Sequence, residues 1–100
     1  MELFYENVKI EFITKEFERD NEKIKELARK KFEEYKDDYK KLTWFIMALN
    51  HLCWEWHSIG NSKLSELYSD LYYEYDEKAI DYLEKHNTKE ELSYFFKTLD

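Results

Sequence analysis

The stretch LTWFIMALNHLCWEWHSI, residues 42–59, decides the fold, because its only formal charge is that of Glu55. Its main apolar stripe recurs at steps of three or four residues and consists of Leu42, Phe45, Ile46, Leu49, Leu52, Cys53, Trp56 and Ile59. Further apolar area on its other sides comes from Trp44, Met47, Ala48 and Trp54. A helix that is apolar nearly all round is the centre of a bundle or lends a face to a partner chain. The pattern predicts a central helix over residues 42–59.

The residues that follow indicate where this helix ends and the next begins. Gly60 can take the left-handed conformation that terminates a helix, and Asn61 or Ser62 can cap the next one. The spacing predicts a helix from about Lys63 to Lys85. Its inward face is predicted to comprise Leu64, Leu67, Tyr68, Leu71, Tyr72, Tyr75, Ala79 and Leu83.

One further helix is predicted on each side of this pair in the sequence. Asn87 can close the preceding helix, and Thr88 with Glu91 forms a capping box for a last helix. The inward residues of that last helix are predicted to be Leu92, Phe95, Phe96 and Leu99. Upstream, Asn21 is predicted to cap a helix whose apolar stripe contains Ile24, Leu27, Ala28, Phe32, Tyr35 and Tyr39.

Residues 7–14 are ambiguous between helix and strand. Val8, Ile10 and Phe12 alternate with charged residues, as in a strand, yet Phe4, Val8 and Phe12 also fit helical spacing. A lone strand would have no partner in a chain so poor in hairpin turns, which favours a helix. Strand pairing across a dimer remains the alternative.

The composition agrees with an all-α protein. The 100 residues include one glycine and no proline, whereas repeated hairpins need turn residues, and 43% are hydrophobic. We therefore predict a single helical domain over residues 1–100, a compact bundle of four or five helices around residues 42–59. One cysteine excludes an internal disulfide, and no apolar run approaches the ~20 residues of a membrane span. No secretory signal is recognisable either, so the expected location is the cytoplasm and no membrane contact is predicted.

The segment HLCWEWH, residues 51–57, raises the question of a metal or catalytic site. At ~100° per residue, His51 and His57 lie about 120° apart around a helix, and Cys53 lies nearly opposite His51. Only the pairs Cys53–His57 and His51–Glu55 share a face. We therefore expect no metal, no cofactor and no enzyme, with Cys53 a buried apolar residue and His51 hydrogen-bonded within or beside the core. A small enzyme or metal site at His51, Cys53 and His57 is the third-ranked hypothesis.

Charge is concentrated in the helix after Gly60. Residues 62–86 contain seven acidic and three basic side chains, in a chain of net charge −7. Six of the acids follow at steps of three or four, and we name them the acidic stripe: Glu66, Asp70, Glu74, Glu77, Asp81 and Glu84. The stripe is typical of a solvated face, or of a surface for a basic partner. Direct nucleic-acid binding is not expected, because the same helix would repel phosphates.

These features favour a small non-enzymatic protein–protein interaction module. Trp44, Trp54 and Trp56 should not all fit inside one thin bundle, so at least one is expected to be exposed or in an interface. We predict a homodimer or another protein partner, contacted through Trp44, Trp54 and the acidic stripe. The alternative is an acidic inhibitor that occupies the basic, nucleic-acid-binding surface of its partner. In size and in its Lys, Glu, Asn and Tyr content the chain resembles small accessory proteins of phages and mobile elements of low-GC bacteria, without sharing a specific motif.

Overall fold

The computed structural model describes residues 1–99 and confirms an all-α bundle. It contains five helices, α1 (Glu2–Glu16), α2 (Asn21–Tyr35), α3 (Tyr39–Ile59), α4 (Ser62–His86) and α5 (Lys89–Leu99). No strand occurs in residues 1–99, so the strand alternative for residues 7–14 is wrong. Val8 and Phe12 are buried while Ile10 is exposed, which shows that helical spacing selects the inward residues of α1.

Helix α3 is the centre of the bundle, as predicted. It packs against each of the other four helices, and most extensively against its neighbour α4. Five of its apolar side chains, Leu42, Phe45, Ile46, Ala48 and Leu49, are fully buried. Contacts with the other four helices account for most of the apolar surface of α3, but Trp54 and Ile59 remain exposed.

Caps define the helix boundaries. The side chain of Asn61 accepts the backbone N–H of Leu64 at 3.1 Å, and Gly60 ends α3 with a positive φ of 91°. The capping box at the start of α5 is also present. Thr88 Oγ1 accepts the backbone N–H of Glu91 at 3.2 Å, and the Glu91 carboxylate accepts that of Thr88 at 3.1 Å.

The predicted boundary between α2 and α3 is wrong. Asp20 rather than Asn21 caps α2, and α2 ends at Tyr35. Asp38 accepts the backbone N–H of Lys41 at 3.2 Å and starts α3, so Tyr39 belongs to α3 and not to the stripe of α2. This local cap interrupts an apolar spacing that would otherwise continue from one helix into the next.

Two residues predicted to face inward are exposed. Ile59 is 72% exposed because it lies in the last turn of α3, beside the chain reversal at Gly60. Phe96 is also exposed, since a rotation of about 100° from Phe95 carries it away from the core that Phe95 enters. In the described part of the chain, no helix is both long and apolar enough to cross a bilayer.

Candidate functional site

The polar side chains of residues 51–57 divide between two surfaces. On the first, His51 Nδ1 is hydrogen-bonded with the hydroxyl of Tyr5, and Glu55 forms an ion pair with Lys9. These partners belong to α1, which packs along this side of α3. Desolvation, and then the nearby Lys9 cation, lower the pKa of His51. His51 is thus hydrogen-bonded as predicted, but it lies on the exposed side of the α1–α3 contact and not in the core.

Cys53 and His57 lie on the second surface, which faces α4. The hydroxyl of Ser65 donates to the Cys53 carbonyl oxygen at 3.1 Å, and the Cys53 Sγ is 3.7 Å from the same hydroxyl. The Cys53 thiol is half-buried, so it is less enclosed than expected. His57 packs edge-on against Trp54, with ring centroids 5.8 Å apart. No group of three or more metal-ligating side chains occurs within residues 1–99.

The three tryptophans have different environments. Trp44 is half-buried and donates its indole N–H to the Tyr94 hydroxyl at 2.8 Å, which links α3 to α5. Trp56 donates to a carboxylate oxygen of Glu16 at 3.0 Å, which links α3 to α1. Trp54, in contrast, is 60% exposed. The expectation that at least one tryptophan lies at the surface is therefore confirmed, and that residue is Trp54.

Trp54 lies at a groove between α3 and α4 with a volume of about 350 Å³. We name it the aromatic groove, and its lining residues are Asn50, Cys53, Trp54, His57, Ser65, Glu66, Ser69, Tyr72 and Tyr73. The small side chains of Ser65 and Ser69 line it on α4. Tyr73 is 68% exposed and meets Tyr72 edge-on, with ring centroids 5.4 Å apart. Two large aromatic side chains from adjacent helices are thus accessible in one groove.

Sequence periodicity did not identify Tyr73. The apolar spacing places Tyr72 on the inward face of α4 and leaves Tyr73 off that face. The available signal was a large aromatic residue on the otherwise polar face of an amphipathic helix, directly before Glu74. A side chain at that position is solvated unless a partner covers it.

The acidic stripe forms one exposed face of α4, because all six of its residues are exposed. Its carboxylates are not equivalent. Glu74 is ion-paired with Lys78 at 3.0 Å, and Asp81 with Lys85 at 3.1 Å. In the part of the chain that the structure describes, the other four have no lysine or arginine nitrogen within 4.0 Å; these are Glu66, Asp70, Glu77 and Glu84.

Cations border the amino-terminal half of the stripe. A second groove, of about 600 Å³, runs between α2 and α4, and Lys25 and Arg29 line it together with Lys63. On the α4 side it is lined by Glu66, Asp70 and Glu74. Glu66 lines both this groove and the aromatic groove. The stripe is therefore a mixed-charge surface in this half and not an uninterrupted row of negative charge.

Comparison of the chain with protein-family models, with curated proteins and with solved structures gave no match in any of the three. The geometry of the aromatic groove and of the acidic stripe therefore carries the functional argument.

Lysine side chains cover many of the other aromatic rings. The ammonium group of Lys78 lies 4.9 Å from the ring centroid of Tyr75, and that of Lys9 lies 5.1 Å from the centroid of Tyr5. Similar contacts involve the rings of Phe4, Tyr35, Tyr39, Tyr82 and Tyr94. Within residues 1–99, no such contact is made by the rings of Trp54 and Tyr73. Among the described residues, no lysine or arginine side chain therefore covers either of these two exposed rings.

Proposed function

We propose that the protein is a non-enzymatic interaction module whose aromatic groove binds a protein partner with a basic surface. The observation that carries this proposal is the exposure of Trp54 and Tyr73, 60% and 68%, at one groove. Contiguous exposed aromatic surface usually marks an interaction site. Trp and Tyr are also the residue types that contribute most binding energy when a partner covers them.

The position of the two rings favours binding. Trp54 and Tyr73 lie inside long helices, α3 and α4, which pack closely against each other and are joined by a short connection at Gly60 and Asn61. A tryptophan or tyrosine on a rigid helix loses little conformational freedom when it is covered, since its ring has only two rotatable bonds. The groove can therefore engage a partner without first being ordered.

Charge supports a basic partner. The chain has a net charge of −7, and Glu66 brings an exposed carboxylate into the aromatic groove itself. Asp70 lies one turn further along α4 and continues the negative potential beyond the groove. Complementary charge accelerates association and selects among partners even where it adds little affinity.

The environment of residues 51–57 supports the non-enzymatic part of the proposal. His51 and Glu55 are engaged with Tyr5 and Lys9 of α1. Cys53 shares a groove with His57, but among the described residues its thiol contacts the Ser65 hydroxyl and makes no hydrogen bond with that imidazole. A nucleophile and a base that act together must lie within hydrogen-bond reach of each other. The hydrogen bond to Tyr5 and the ion pair to Lys9 instead act in the packing of α1 on α3.

The acidic-inhibitor alternative has one specific observation in its favour, the exposure of all six residues of the acidic stripe. Against it, Lys78 and Lys85 form ion pairs with two carboxylates of the stripe. Lys25 and Arg29 line the same groove as three of its residues, Glu66, Asp70 and Glu74. A surface that imitates the phosphate backbone needs charge that is free to meet the partner's cations. For this reason we place the stripe second to the aromatic groove.

We also propose a cytoplasmic accessory protein of a phage or mobile element as the setting. Its support is the composition of the chain, rich in Lys, Glu, Asn and Tyr, together with its small size. The single Cys53 thiol, which forms no disulfide in the structure, is compatible with a reducing compartment.

Affinity capture with matched variants tests the proposal. The wild-type chain, a variant with Trp54→Ala and Tyr73→Ala, and a control with Phe96→Ala serve as baits in lysate of the native host, followed by mass spectrometry. Phe96 is also a large exposed aromatic residue, but it does not line the aromatic groove. We expect the groove variant to lose at least about tenfold in affinity for the captured partner, measured with purified proteins, while the control binds normally. Equal binding by all three baits, with helix content unchanged, would show that the groove is not the docking site.

A further inference from the structure

We infer that the aromatic groove recognises an arginine side chain of the partner, with its guanidinium against the rings of Trp54 and Tyr73 and beside the Glu66 carboxylate. This inference rests on the proposed function and adds the chemistry of the group that is bound.

The first argument is the uncovered state of the two rings. An aromatic face attracts a cation within about 6 Å of its centroid, and this molecule uses that contact repeatedly, as between Lys78 and Tyr75. The rings of Trp54 and Tyr73 make no such contact within residues 1–99, although both are exposed. Among aromatic side chains tryptophan binds cations best, so the strongest exposed receptor for a cation in the described chain is Trp54.

The second argument is Glu66. Its carboxylate lines the same groove, is exposed, and has no lysine or arginine nitrogen within 4.0 Å among the described residues. Lys and Arg do not occur among the described residues that line the aromatic groove. Lys25, Arg29 and Lys63 line the adjacent groove that Glu66 also borders, but none of them forms an ion pair with its carboxylate. Asn50 and Ser69, whose side chains carry further acceptor oxygens, also line the groove.

The third argument distinguishes arginine from lysine. A guanidinium is planar, stacks on aromatic faces and can donate two parallel hydrogen bonds to a carboxylate at the same time. A groove with two exposed rings and one carboxylate that has no ion pair among the described residues matches all of these properties. An ammonium is a compact and strongly hydrated charge that would use only part of this surface. The groove volume of about 350 Å³ is at the lower end of the range for small-ligand sites, roughly 300–1,000 Å³, which suits one side chain.

Nuclear magnetic resonance of the whole chain provides the test, because the indole N–H of Trp54 gives its own signal beside those of Trp44 and Trp56. The probes are three capped tripeptides with glycine on both sides of arginine, citrulline or lysine. Citrulline keeps the shape of arginine but has no charge. We expect the arginine peptide to shift the Trp54 signal with a Kd of about 1–10 mM, as befits one cation–π contact and one exposed ion pair. Citrulline should cause no saturable shift, and lysine should bind at least threefold more weakly than arginine, about the difference expected from stacking.

Variants locate the site. Glu66→Gln should weaken arginine binding about two- to fivefold, while Glu84→Gln, another unpaired carboxylate of the stripe outside the groove, should leave it unchanged. Equal binding of citrulline, equal binding of lysine, or no response at Trp54 would each overturn the inference. Failure here is separable from failure of the proposed function. A partner that is lost with Trp54→Ala and Tyr73→Ala, together with a negative arginine titration, leaves the groove as a docking site without cation recognition.

Discussion

Trp56 and Glu16 join the end of α1 to the middle of the bundle, with the indole N–H 3.0 Å from a carboxylate oxygen of Glu16. The same oxygen accepts the hydroxyl of Tyr68, from α4, at 2.6 Å. Desolvation, and then this hydrogen bond to the carboxylate, raise the pKa of Tyr68, which favours the protonated hydroxyl that donates to Glu16. The Glu16 side chain of α1 thus accepts hydrogen bonds from both α3 and α4.

Removal of this shared acceptor should destabilise the protein. Glu16→Ala leaves the donors of Trp56 and Tyr68 without a partner, and we expect a loss of about 1–3 kcal/mol in the free energy of unfolding. Glu16→Gln keeps an acceptor oxygen and should lose less. Urea unfolding measures both, with Glu84→Ala, exposed and unpaired, as the control within about 0.5 kcal/mol of wild type. A loss for Glu16→Ala no larger than that of the control would contradict the two-donor arrangement.

The different burial of Leu49 and Ile59 gives a matched test of the fold. Both belong to the same predicted stripe, but Leu49 is fully buried and Ile59 is 72% exposed. Leu49→Ala should lower the free energy of unfolding by about 2–5 kcal/mol, because it leaves a cavity in the core. Ile59→Ala should change it by less than about 0.5 kcal/mol. Similar losses for the two variants would mean that the end of α3 is packed differently.

The environment of His51 leads to a pH dependence with a definite sign. Its pKa is lowered in the folded chain by desolvation and by Lys9, while Glu55 acts in the opposite direction. The unfolded chain, with an ordinary value of 6.5, therefore takes up the proton first as the pH falls. The contribution of His51 to stability is complete above that value and is lost as the pH drops through the folded pKa.

Lys9→Met should raise the pKa of His51, because it removes the nearby cation and releases Glu55 from its ion pair. Titration of the ring C–H signals of His51 by nuclear magnetic resonance measures the shift directly. The fall in stability between pH 7.5 and pH 5 should also become shallower in this variant. An unchanged or lower His51 pKa would argue against the contact between α1 and α3 at this point.

Charge reversal separates the acidic stripe from the aromatic groove. The pair Glu74→Lys and Asp81→Lys is the obvious choice from sequence, but these residues hold Lys78 and Lys85, so the new lysines would repel them. Glu77→Lys with Glu84→Lys changes two unpaired carboxylates instead. We expect this double variant to bind the captured partner within about tenfold of wild type, with slower association and a weaker salt dependence. A loss as large as that of the groove variant would favour the acidic-inhibitor alternative.

Self-association, predicted from the surplus of aromatic side chains, has a surface available along α1 and its C-cap. Leu3 and Ile10 of α1 and Phe17 at its C-cap are all exposed, and their seven-residue spacing places them along one side of the helix axis. In an antiparallel pair of α1 helices, Leu3 of one copy would face Phe17 of the other. We expect a dimer in light scattering that Ile10→Glu converts to a monomer and that Trp54→Ala leaves intact. A monomer at millimolar concentration would contradict self-association and leave binding to a different protein as the only interaction proposed.

Sequence periodicity was sufficient for the helices, because each inward face is set by side chains three or four residues apart. The apolar segment 42–59 and the glycine at position 60 were enough to place the central helix and the turn that follows it. The boundary at Tyr39 was missed because one apolar stripe runs on across two helices, and only the Asp38 cap separates them.

The candidate site was less predictable, because it depends on contacts between residues far apart in sequence. In the sequence, Trp44 and Trp54 cannot be distinguished, because both lie outside the main apolar stripe of the same predicted helix. Their difference arises because the indole N–H of Trp44 donates to Tyr94, 50 residues away, whereas that of Trp54, at the α3–α4 groove, has no hydrogen-bond acceptor within residues 1–99. The role of Tyr73 likewise depends on the helix opposite it, which periodicity within α4 does not specify.

The two-residue connection at Gly60 and Asn61 has a consequence for folding kinetics. Helices α3 and α4 form the most extensive helix pair of the bundle and are adjacent in the chain, so their closure costs little loop entropy. Chains dominated by such local pairing fold in about microseconds to milliseconds. We expect this helical hairpin to form the folding nucleus, so that Leu52→Ala slows folding while Val8→Ala in α1 mainly accelerates unfolding. Stopped-flow kinetics in urea measure both rates. If α1 docks first, Val8→Ala would slow folding and Leu52→Ala would mainly accelerate unfolding.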